Sequence, residues 1–383
     1  MPDLVAIDLP GGPAFVDALR RVWDDGDAAF PVDQRLPPAG RQRVLAAMAP
    51  ARVVTAAGSM PRAGGRPTEP GDALVIATSG TSGDPKGVVL THDAVRASAV
   101  ATSARLMVAE PDHWLACLPL SHVGGLSVVT RALVAGTALT VHPAFDATAV
   151  EQAARDGATL VSLVPTALAR IDADLFRLIV LGGSRPPSDR PDNTVTTYGM
   201  TETGSGVVYD GRALDGVEIR IADDGEVSVR GPMLLRAYRD GHDPKSPEGW
   251  FPTGDLGHWR PDGRLHVEGR RGDLIITGGE NVWPEAVEAI LSGHPDVADV
   301  AVCGLPDAEW GEAVTALIVP SAEGRIPSLD DLRGLAKEHL PAFCAPRRII
   351  AVISLPRTSL GKLRRAELLS LTATSRIAPV ATI

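Results

Sequence analysis

The most distinctive segment of the sequence is Thr78-Ser-Gly-Thr-Ser-Gly-Asp-Pro-Lys-Gly87, which lies between two short apolar runs. Glycines let a backbone approach an anion closely, and hydroxyls and backbone amides donate to phosphate oxygens. Lys86 adds a positive charge, but the segment is not a P-loop, in which Gly-Lys is followed by Ser or Thr. A polar hairpin loop is the alternative, yet the packed Ser, Thr and Gly before Pro-Lys-Gly favour phosphate binding. The candidate phosphate ligands are Thr78, Ser79, Gly80, Thr81, Ser82, Gly83 and Lys86.

Two further polar segments follow apolar runs. Tyr198-Gly-Met-Thr-Glu202 ends in a hydroxyl and a carboxylate, and Gly182-Gly-Ser184 closes an earlier run. A lone Glu after a strand is usually solvated. Beside a phosphate loop, however, one carboxylate and one hydroxyl suit Mg²⁺, which keeps several waters and takes other oxygens from phosphates. Ligands of open α/β sheets bind at the carboxyl ends of strands, so 182–184 is a candidate ligand contact, with a tight turn as the alternative.

Composition limits the classes of protein to consider. The 383 residues predict two to three domains at about 150 residues each. A formal net charge of -10 argues against a general binder of nucleic acids or acidic membranes. Cys117, Cys303 and Cys344 are scattered, which disfavours a disulfide framework and a zinc site. The N-terminus lacks the features of a signal peptide, and the apolar stretch 114–134 is interrupted by His122 and Arg131, so we expect a cytoplasmic location without membrane insertion.

The pattern of elements predicts how these segments are positioned. Before Ala73 we predict one helix, 14–24, and a flexible connection over 60–71. Beyond it, apolar strands alternate with longer amphipathic stretches, which indicates a layered α/β domain with a largely parallel sheet. The predicted strands are 73–78, 87–91, the WLACL run, 138–142, 159–163 and 177–181, and the predicted helices are 92–107, 124–135, 147–156 and 165–172. The turn-rich segment 217–269 predicts an antiparallel, β-rich subdomain.

The C-terminal part has a different order of elements. After Arg270 we predict a strand at 273–277, a helix at 284–292, two strands, a helix at 329–339 and a last strand at 348–353. This β-α-β-β-α-β order matches a ferredoxin-like α+β arrangement. We therefore predict a large N-terminal domain over 1–269, a hinge over 270–273 and a small, mobile C-terminal domain over 274–383.

A set of motifs in a fixed order resembles the adenylate-forming superfamily: acyl- and aryl-CoA synthetases, luciferases and the adenylation domains of peptide synthetases. The likeness covers about residues 70 to 370, and so many motifs in the expected order are highly specific. They are the 78–87 loop, LPLSHVGGL (118–126), VPT (164–166), LGGS (181–184), YGMTET (198–203), TGD (253–255), GRRGDLIITGGENVWPEAVE (269–288) and PRTSLGKLRR (356–365).

The resemblance implies a reaction in two steps. A carboxylic acid reacts with MgATP to give an acyl-adenylate and pyrophosphate, and the acyl group then passes to a thiol, usually that of coenzyme A, with release of AMP. It also implies that the C-terminal domain rotates about the hinge between the two steps. Many relatives carry Asp or Lys where this chain has Gly272, and they have more residues before the phosphate loop, so we expect a reduced first subdomain.

The resemblance also implies roles for individual residues. The nucleotide contacts are the 78–87 loop, Gly182, Gly183 and Ser184 at the adenine edge, Tyr198 against the adenine, Gly199, Met200, Asp255 at the ribose, and Arg270. The metal contacts are Thr201 and Glu202, and the mobile catalytic lysine is Lys362. The acyl pocket contains His122, Val123, Gly124 and Gly125, and the path of coenzyme A contains Gly278, Gly279 and Glu280. Without the resemblance, simpler interpretations apply. His122 would be a structural histidine, and Asp255 would be part of a turn. Arg270 and Lys362 would be solvated surface charges.

The acid is less firmly indicated. The short N-terminal region, YGMTET and SHVGG resemble the o-succinylbenzoate–CoA ligases of menaquinone synthesis. The alternatives are a CoA ligase for another aryl or alicyclic acid, a stand-alone adenylation enzyme that loads a carrier protein, and a non-catalytic relative. The sequence identifies no cationic partner for a second substrate carboxylate. Relatives are often dimers, so a homodimer is a further expectation.

Overall fold

The computed structural model describes residues 1–79, 85–184, 186–187, 189–321, 325–357 and 363–374. The strands are β1 (Leu4–Ile7), β2 (Ala28–Pro31), β3 (Arg52–Thr55), β4 (Gly58–Pro61), β5 (Asp72–Ser79), β6 (Pro85–Thr91), β7 (His113–Ala116), β8 (Ala138–Val141), β9 (Leu160–Leu163), β10 (Leu178–Leu181), β11 (Thr194–Met200), β12 (Ser205–Tyr209), β13 (Arg212–Ala213), β14 (Glu218–Ile221), β15 (Glu226–Arg230), β16 (Ala237–Tyr238), β17 (Phe251–Trp259), β18 (Leu265–Arg270), β19 (Ile275–Thr277), β20 (Glu280–Val282), β21 (Val297–Asp307), β22 (Gly311–Pro320) and β23 (Arg348–Ala351). The helices are α1 (Pro13–Asp24), α2 (Pro38–Met48), α3 (His92–Arg105), α4 (Val123–Ala135), α5 (Ala147–Arg155), α6 (Pro165–Leu168), α7 (Pro284–Leu291), α8 (Leu329–His339) and α9 (Arg365–Thr374).

The chain divides into two compact units. The first contains Met1–Arg220, Ser228–Thr253 and Trp259–Leu265, and the second contains Ile221–Val227, Gly254–His258 and the chain from His266 onward. The predicted hinge falls in the second unit, where Arg271–Asp273 forms a 3-10 turn directly after β18. The hinge itself stays a prediction. Among the described residues, no helix combines the length and apolar character needed to cross a membrane.

The first sheet of the first unit has the strand order β16-β6-β5-β2-β1-β3-β4. Strands β1, β2, β3 and β5 pair in parallel, whereas β5 and β6 form an antiparallel hairpin. The prediction for the first 70 residues was incomplete, because this segment contains four strands and α2 in addition to α1. The predicted flexible connection over 60–71 also begins too early, since Met60 and Pro61 belong to β4. Strands β1 and β2 are four residues long and wholly buried, so they lack the alternation that identifies a strand in a sequence.

The second sheet has the order β13-β12-β11-β10-β9-β7-β8, and the neighbouring strands from β11 to β8 are parallel. The predicted layered α/β domain is confirmed, with two mixed sheets rather than one. The predicted helix at 165–172 is shorter, since α6 ends at Leu168. Segment 217–269 contains β14 to β18, of which β14, β15, β17 and β18 form the predicted β-rich sheet. Parallel pairing of β10 and β11 places their carboxyl ends, and the polar segments that follow, at one edge of the sheet.

The C-terminal elements follow the predicted order, but the sheet pairs differently from a ferredoxin-like one. The predicted first strand is a hairpin of β19 and β20, which meets β22 at a single pair, Thr277 with Gly311. Strand β22 pairs antiparallel with β21 and parallel with β23, so the last strand lies beside β22 rather than beside the first strand. Helices α7 and α8 cover one face of this sheet through buried Val287, Leu291 and Leu332.

Candidate functional site

The predicted phosphate loop lies in the sequence between the two strands of the β5–β6 hairpin. Thr78 pairs with Lys86, and the Thr78 hydroxyl donates to the Lys86 carbonyl at 3.4 Å. Gly80, Thr81, Ser82 and Gly83 lie outside the described residues, and of Ser79 only the backbone is placed, at the end of β5. The hairpin therefore holds Thr78 and Lys86 opposite each other where the two strands approach the loop.

Lys86, Glu202 and Tyr238 come together in the first unit. The Lys86 ammonium lies 5.5 Å from the centroid of the Tyr238 ring, and the Tyr238 hydroxyl donates to Glu202 Oε1 at 3.1 Å. This arrangement arises because β16 pairs antiparallel with β6, with Tyr238 opposite Val88. Sequence reasoning missed Tyr238, whose only signal is an aromatic residue in a short polar segment.

The surroundings of Glu202 fit Mg²⁺ that arrives with ATP. Glu202 is half-buried and lies in a 3-10 turn, Thr201–Thr203, directly after β11. The buried Thr203 hydroxyl accepts from the Met200 amide at 2.9 Å and donates to the Ser205 carbonyl at 2.6 Å, which fixes this turn. Among the described residues, no group of three or more His, Cys, Asp or Glu side chains could enclose a metal. One protein carboxylate with the remaining ligands from water and phosphate is typical of Mg²⁺.

The segments predicted to contact adenine follow neighbouring strands. Gly182, Gly183 and Ser184 follow β10, while Tyr198, Gly199 and Met200 end β11. Leu181 pairs with Thr196, so both segments lie at the carboxyl edge of the second sheet. Ser184, Gly183 and Gly199 are exposed and Tyr198 is half-buried. The nucleotide contacts of these residues stay predictions.

Asp255 and Arg270 form an ion pair in the second unit. Asp255 Oδ1 lies 2.8 Å from Arg270 Nε, and the Asp255 side chain is only 8% exposed. The two residues belong to β17 and β18. The structure thus brings together the carboxylate and the guanidinium that the resemblance assigns to the nucleotide.

The residues predicted to line the acyl pocket lie at the start of α4. His122 is the residue before the helix, and Val123, Gly124 and Gly125 form its first turn. A side chain at Gly125 would collide with the carbonyls of Leu118 and Pro119, so packing alone requires glycine there. At Gly124 a Cβ atom would meet only Leu118 Cδ1, at 3.9 Å, and the position is exposed. Packing therefore does not require glycine at position 124, and the missing side chain leaves open space beside the helix.

Arg131, farther along α4, is a functional candidate that sequence reasoning missed. It is 2% exposed and its guanidinium lies 4.7 Å from the Trp114 ring centroid. Its Nη2 donates to the Ser205 hydroxyl at 3.4 Å, whereas its Nη1 is buried without a hydrogen-bond partner. No carboxylate of the described residues pairs with the guanidinium. Burial lowers the pKa of this guanidinium. In the sequence, Arg131 stood out only as an interruption of an apolar stretch.

A small cavity lies beside Arg131. Its lining includes Val123 and Leu126 from the start of α4, Thr130 from the next turn, and Gly204. Its volume of about 10 Å³ is close to the least that holds one water molecule. A buried charge without a partner is unfavourable. The cavity has room for one water molecule, so an anion beyond it would meet the guanidinium through that water.

The residues of the predicted coenzyme A path form the turn of the β19–β20 hairpin. Gly278 and Gly279 have φ values of +60° and +83°, and Glu280 is exposed. A Cβ atom at Gly278 would lie 2.7 Å from the Trp310 ring, and the Arg347 guanidinium stacks 3.5 Å from the centroid of that ring. Trp310, which the sequence did not mark, therefore requires glycine at position 278, whereas at Gly279 the positive φ alone favours glycine.

Lys362 lies outside the described residues, but the helix that follows it is placed. Arg365 begins α9, a helix that was not predicted, and its guanidinium donates to Glu285 at 3.0 Å and to Glu288 at 2.9 Å. It also lies 3.4 Å from Asp273 of the predicted hinge. The segment after Lys362 is thus not simply a solvated basic tail, because Arg365 fixes it to α7.

Comparisons with known proteins support the resemblance seen in the motifs. The family model described as AMP-binding enzyme matches residues 60–239, and the model of the AMP-binding enzyme C-terminal domain matches 286–362. A probable 2-succinylbenzoate–CoA ligase of Mycobacterium tuberculosis (strain H37Rv) is 40% identical, over 77% of this chain and 83% of the relative.

Two solved structures of o-succinylbenzoate CoA synthetase from Bacillus subtilis are also similar. The complex with the acyl-adenylate intermediate has a TM-score of 0.85 at 29% identity, covering 96% of this chain and 88% of that one. The complex with ATP and magnesium ion has a TM-score of 0.84 at 28% identity, covering 96% and 89%. The fold resemblance inferred from the motifs is confirmed, and this chain belongs to the family of AMP-binding enzymes.

Proposed function

We propose that this chain is an AMP-forming acid–CoA ligase that acts on o-succinylbenzoate. Relatives that are 40% and 36% identical carry the name 2-succinylbenzoate–CoA ligase. In the proposed reaction, a substrate carboxylate oxygen attacks the α-phosphorus of MgATP and pyrophosphate leaves. The thiolate of coenzyme A then attacks the acyl carbon, and AMP leaves with the electrons of the acyl–oxygen bond.

The residues of the first unit supply charge for the first step. Negative charge on the triphosphate must be neutralised while the carboxylate, another anion, approaches. We assign this to Lys86 at the phosphate loop and to the metal bound by Glu202, whose carboxylate is oriented by Tyr238. Lys362 is the proposed third cation, delivered by the C-terminal domain when it turns about 270–273.

Arg131 is the observation that carries the choice of acid. o-Succinylbenzoate has two carboxylates, and the one that does not react keeps its charge in the pocket. A buried guanidinium with an unpartnered Nη1, beside the first turn of α4, is a suitable partner for that charge. An aryl or alicyclic acid with a single carboxylate would leave Arg131 uncompensated.

A set of matched acids tests the proposal. Acid-dependent pyrophosphate release is measured with o-succinylbenzoate and with two analogues, each lacking one of its two carboxylates. We expect turnover of o-succinylbenzoate, none with the analogue that lacks the reacting carboxylate, and at least about tenfold lower kcat/KM with the other, since losing a charged contact costs over 1.4 kcal/mol. Equal turnover of o-succinylbenzoate and a singly charged aryl acid would contradict the substrate. No release with any acid would contradict the reaction class.

The acceptor and the two half-reactions are tested separately. Coenzyme A is compared with a phosphopantetheinylated carrier protein as acceptor, and faster transfer to the carrier would favour a carrier-loading enzyme instead.

We expect Lys362→Ala to abolish adenylate formation but to spare thioester formation from supplied acyl-adenylate. Equal loss in both half-reactions would refute the separation of roles. The proposal includes a cytoplasmic homodimer, and sedimentation velocity measures its oligomeric state.

A further inference from the structure

The turn after β2 contains a tightly held ion pair that the family motifs did not mark. The Asp33 carboxylate accepts from the Arg35 amide at 3.0 Å and from Arg35 Nε at 2.8 Å through one oxygen. It accepts from Arg35 Nη2 at 2.8 Å through the other. A guanidinium that contacts both oxygens of a carboxylate fixes its orientation as well as its charge.

The same carboxylate faces His122 of the acyl pocket. Asp33 Oδ2 lies 3.6 Å from His122 Nε2, which is longer than a hydrogen bond but leaves the carboxylate and the imidazole adjacent. Nε2 is itself buried and has no hydrogen-bond partner among the described residues. Burial raises the pKa of Asp33, but the contacts with His122 and Arg35 outweigh burial and hold the pKa well below its usual range. Asp33 is therefore a carboxylate anion beside the pocket.

An anion at this position creates a problem for a pocket that binds an acid. A negative charge next to His122 repels an incoming carboxylate unless it is neutralised. Arg35 is the cation that contacts Asp33 directly, and its side chain is 33% exposed against 16% for Asp33. Arg35 thus covers the solvent side of the pair, while the imidazole lies against the same carboxylate.

We infer that Asp33 and Arg35 together position His122 and set the affinity for the acid. Asp33 holds the imidazole at the start of α4, and Arg35 cancels the charge that would otherwise oppose the substrate carboxylate. The inference rests on the proposed function. It assigns positioning roles to residues of the N-terminal 70, outside the segments that carry the resemblance.

A double-mutant cycle tests the charge compensation. The variants are Arg35→Gln, Asp33→Asn and the double variant, and KM for the acid, KM for MgATP and kcat are measured by pyrophosphate release. We expect Arg35→Gln to raise the KM for the acid about tenfold, because it leaves the Asp33 charge uncompensated. In the Asp33→Asn background the same change should have no effect on that KM. Equal effects in both backgrounds would overturn the inference.

A second cycle tests the positioning of His122. We expect Asp33→Asn to lower kcat several-fold in the native background and to have no further effect in His122→Asn, because the group that it positions is then missing. Additive losses of kcat would show that Asp33 acts independently of His122 and would overturn this part. The KM for MgATP should stay constant throughout, and a change in it would point to general disruption of the domain instead.

Matched controls separate these roles from simple stability. Arg52→Gln removes a comparable pair, since Arg52 contacts Asp27 at 2.6 Å with side-chain exposures of 30% and 15%. We expect Arg52→Gln to leave the KM for the acid unchanged, and a tenfold rise in that KM would contradict the inference.

If Arg35→Gln does not fold, Arg35→Lys serves instead. It keeps the charge but loses the bidentate contact, so the KM for the acid should rise less than threefold. A larger rise would contradict charge compensation. If the native enzyme is active on o-succinylbenzoate but the effects of the paired substitutions simply add, only this inference is disproved. If the native enzyme shows no activity with the acid, the proposed function is disproved.

Discussion

Removal of the Tyr238 hydroxyl is the sharpest test of the proposed metal site at Glu202. Tyr238→Phe keeps the ring that lies near the Lys86 ammonium but deletes the donor to Glu202 Oε1. The substitution therefore separates the orientation of the carboxylate from the packing of the lysine. The carboxylate itself stays in the 3-10 turn after β11.

The expected magnitude follows from the geometry of that hydrogen bond. A hydrogen bond to a charged group contributes about 1.5–3 kcal/mol. The distance of 3.1 Å is at the long end for an O–H···O contact, and both partners are half-buried, so the lower end applies. About 1.5 kcal/mol corresponds to roughly a tenfold change. Because the bond orients the proposed metal ligand, we expect the KM for MgATP to rise about tenfold, with the KM for the acid unchanged.

The assay is acid-dependent pyrophosphate release at saturating acid, with magnesium in excess of ATP. Tyr209→Phe is a matched control, because Tyr209 is buried in the same unit and its hydroxyl donates to Thr102 Oγ1 at 3.4 Å. It should leave the KM for MgATP within about twofold of the native value, less than 0.5 kcal/mol. A native KM for MgATP in Tyr238→Phe, or an equal rise in Tyr209→Phe, would refute the assignment of Tyr238 to the metal site.

Three further predictions concern Arg131, Arg365 and Gly278. Arg131→Met should raise the KM for o-succinylbenzoate at least about tenfold and, because it removes an unpaired buried charge, increase the free energy of urea unfolding by about 1 kcal/mol or more. Arg365→Met should lower the unfolding free energy by about 3 kcal/mol, because the Glu288 carboxylate, whose side chain is 17% exposed, loses its guanidinium partner and keeps only the Val302 amide among the described donors. Burial raises the pKa of Glu288, so its protonated form is favoured in the folded state. Urea denaturation of Arg365→Met at several pH values should therefore show a higher unfolding free energy as the pH falls through the raised pKa, and a lower one as the pH rises. Gly278→Ala should strain the hairpin by about 1–2 kcal/mol and push against Trp310, which slows thioester formation more than pyrophosphate release. Stability gained at high pH in Arg365→Met, or equal slowing of both steps in Gly278→Ala, would contradict the respective reasoning.

The sequence by itself determined the features whose signals are local. The helices α1, α3 and α8 lie where the sequence predicted them, and the run 78–87 predicts a phosphate loop from its residue types alone, which stays a prediction. The ordered motifs were enough to identify the family. The order of elements after Arg270 was also readable, since each element there has its own periodicity.

Only the tertiary structure decided which distant side chains meet. Tyr238 reaches Glu202 because β16 pairs with β6, and Asp33 reaches His122 because the turn after β2 and the start of α4 lie together. Arg131 looked like a break in an apolar stretch, yet its burial without a carboxylate makes it the candidate anion contact. Periodicity and residue type report what happens along the chain, whereas pairing, burial and the absence of a counter-charge depend on contacts between segments that no local pattern encodes.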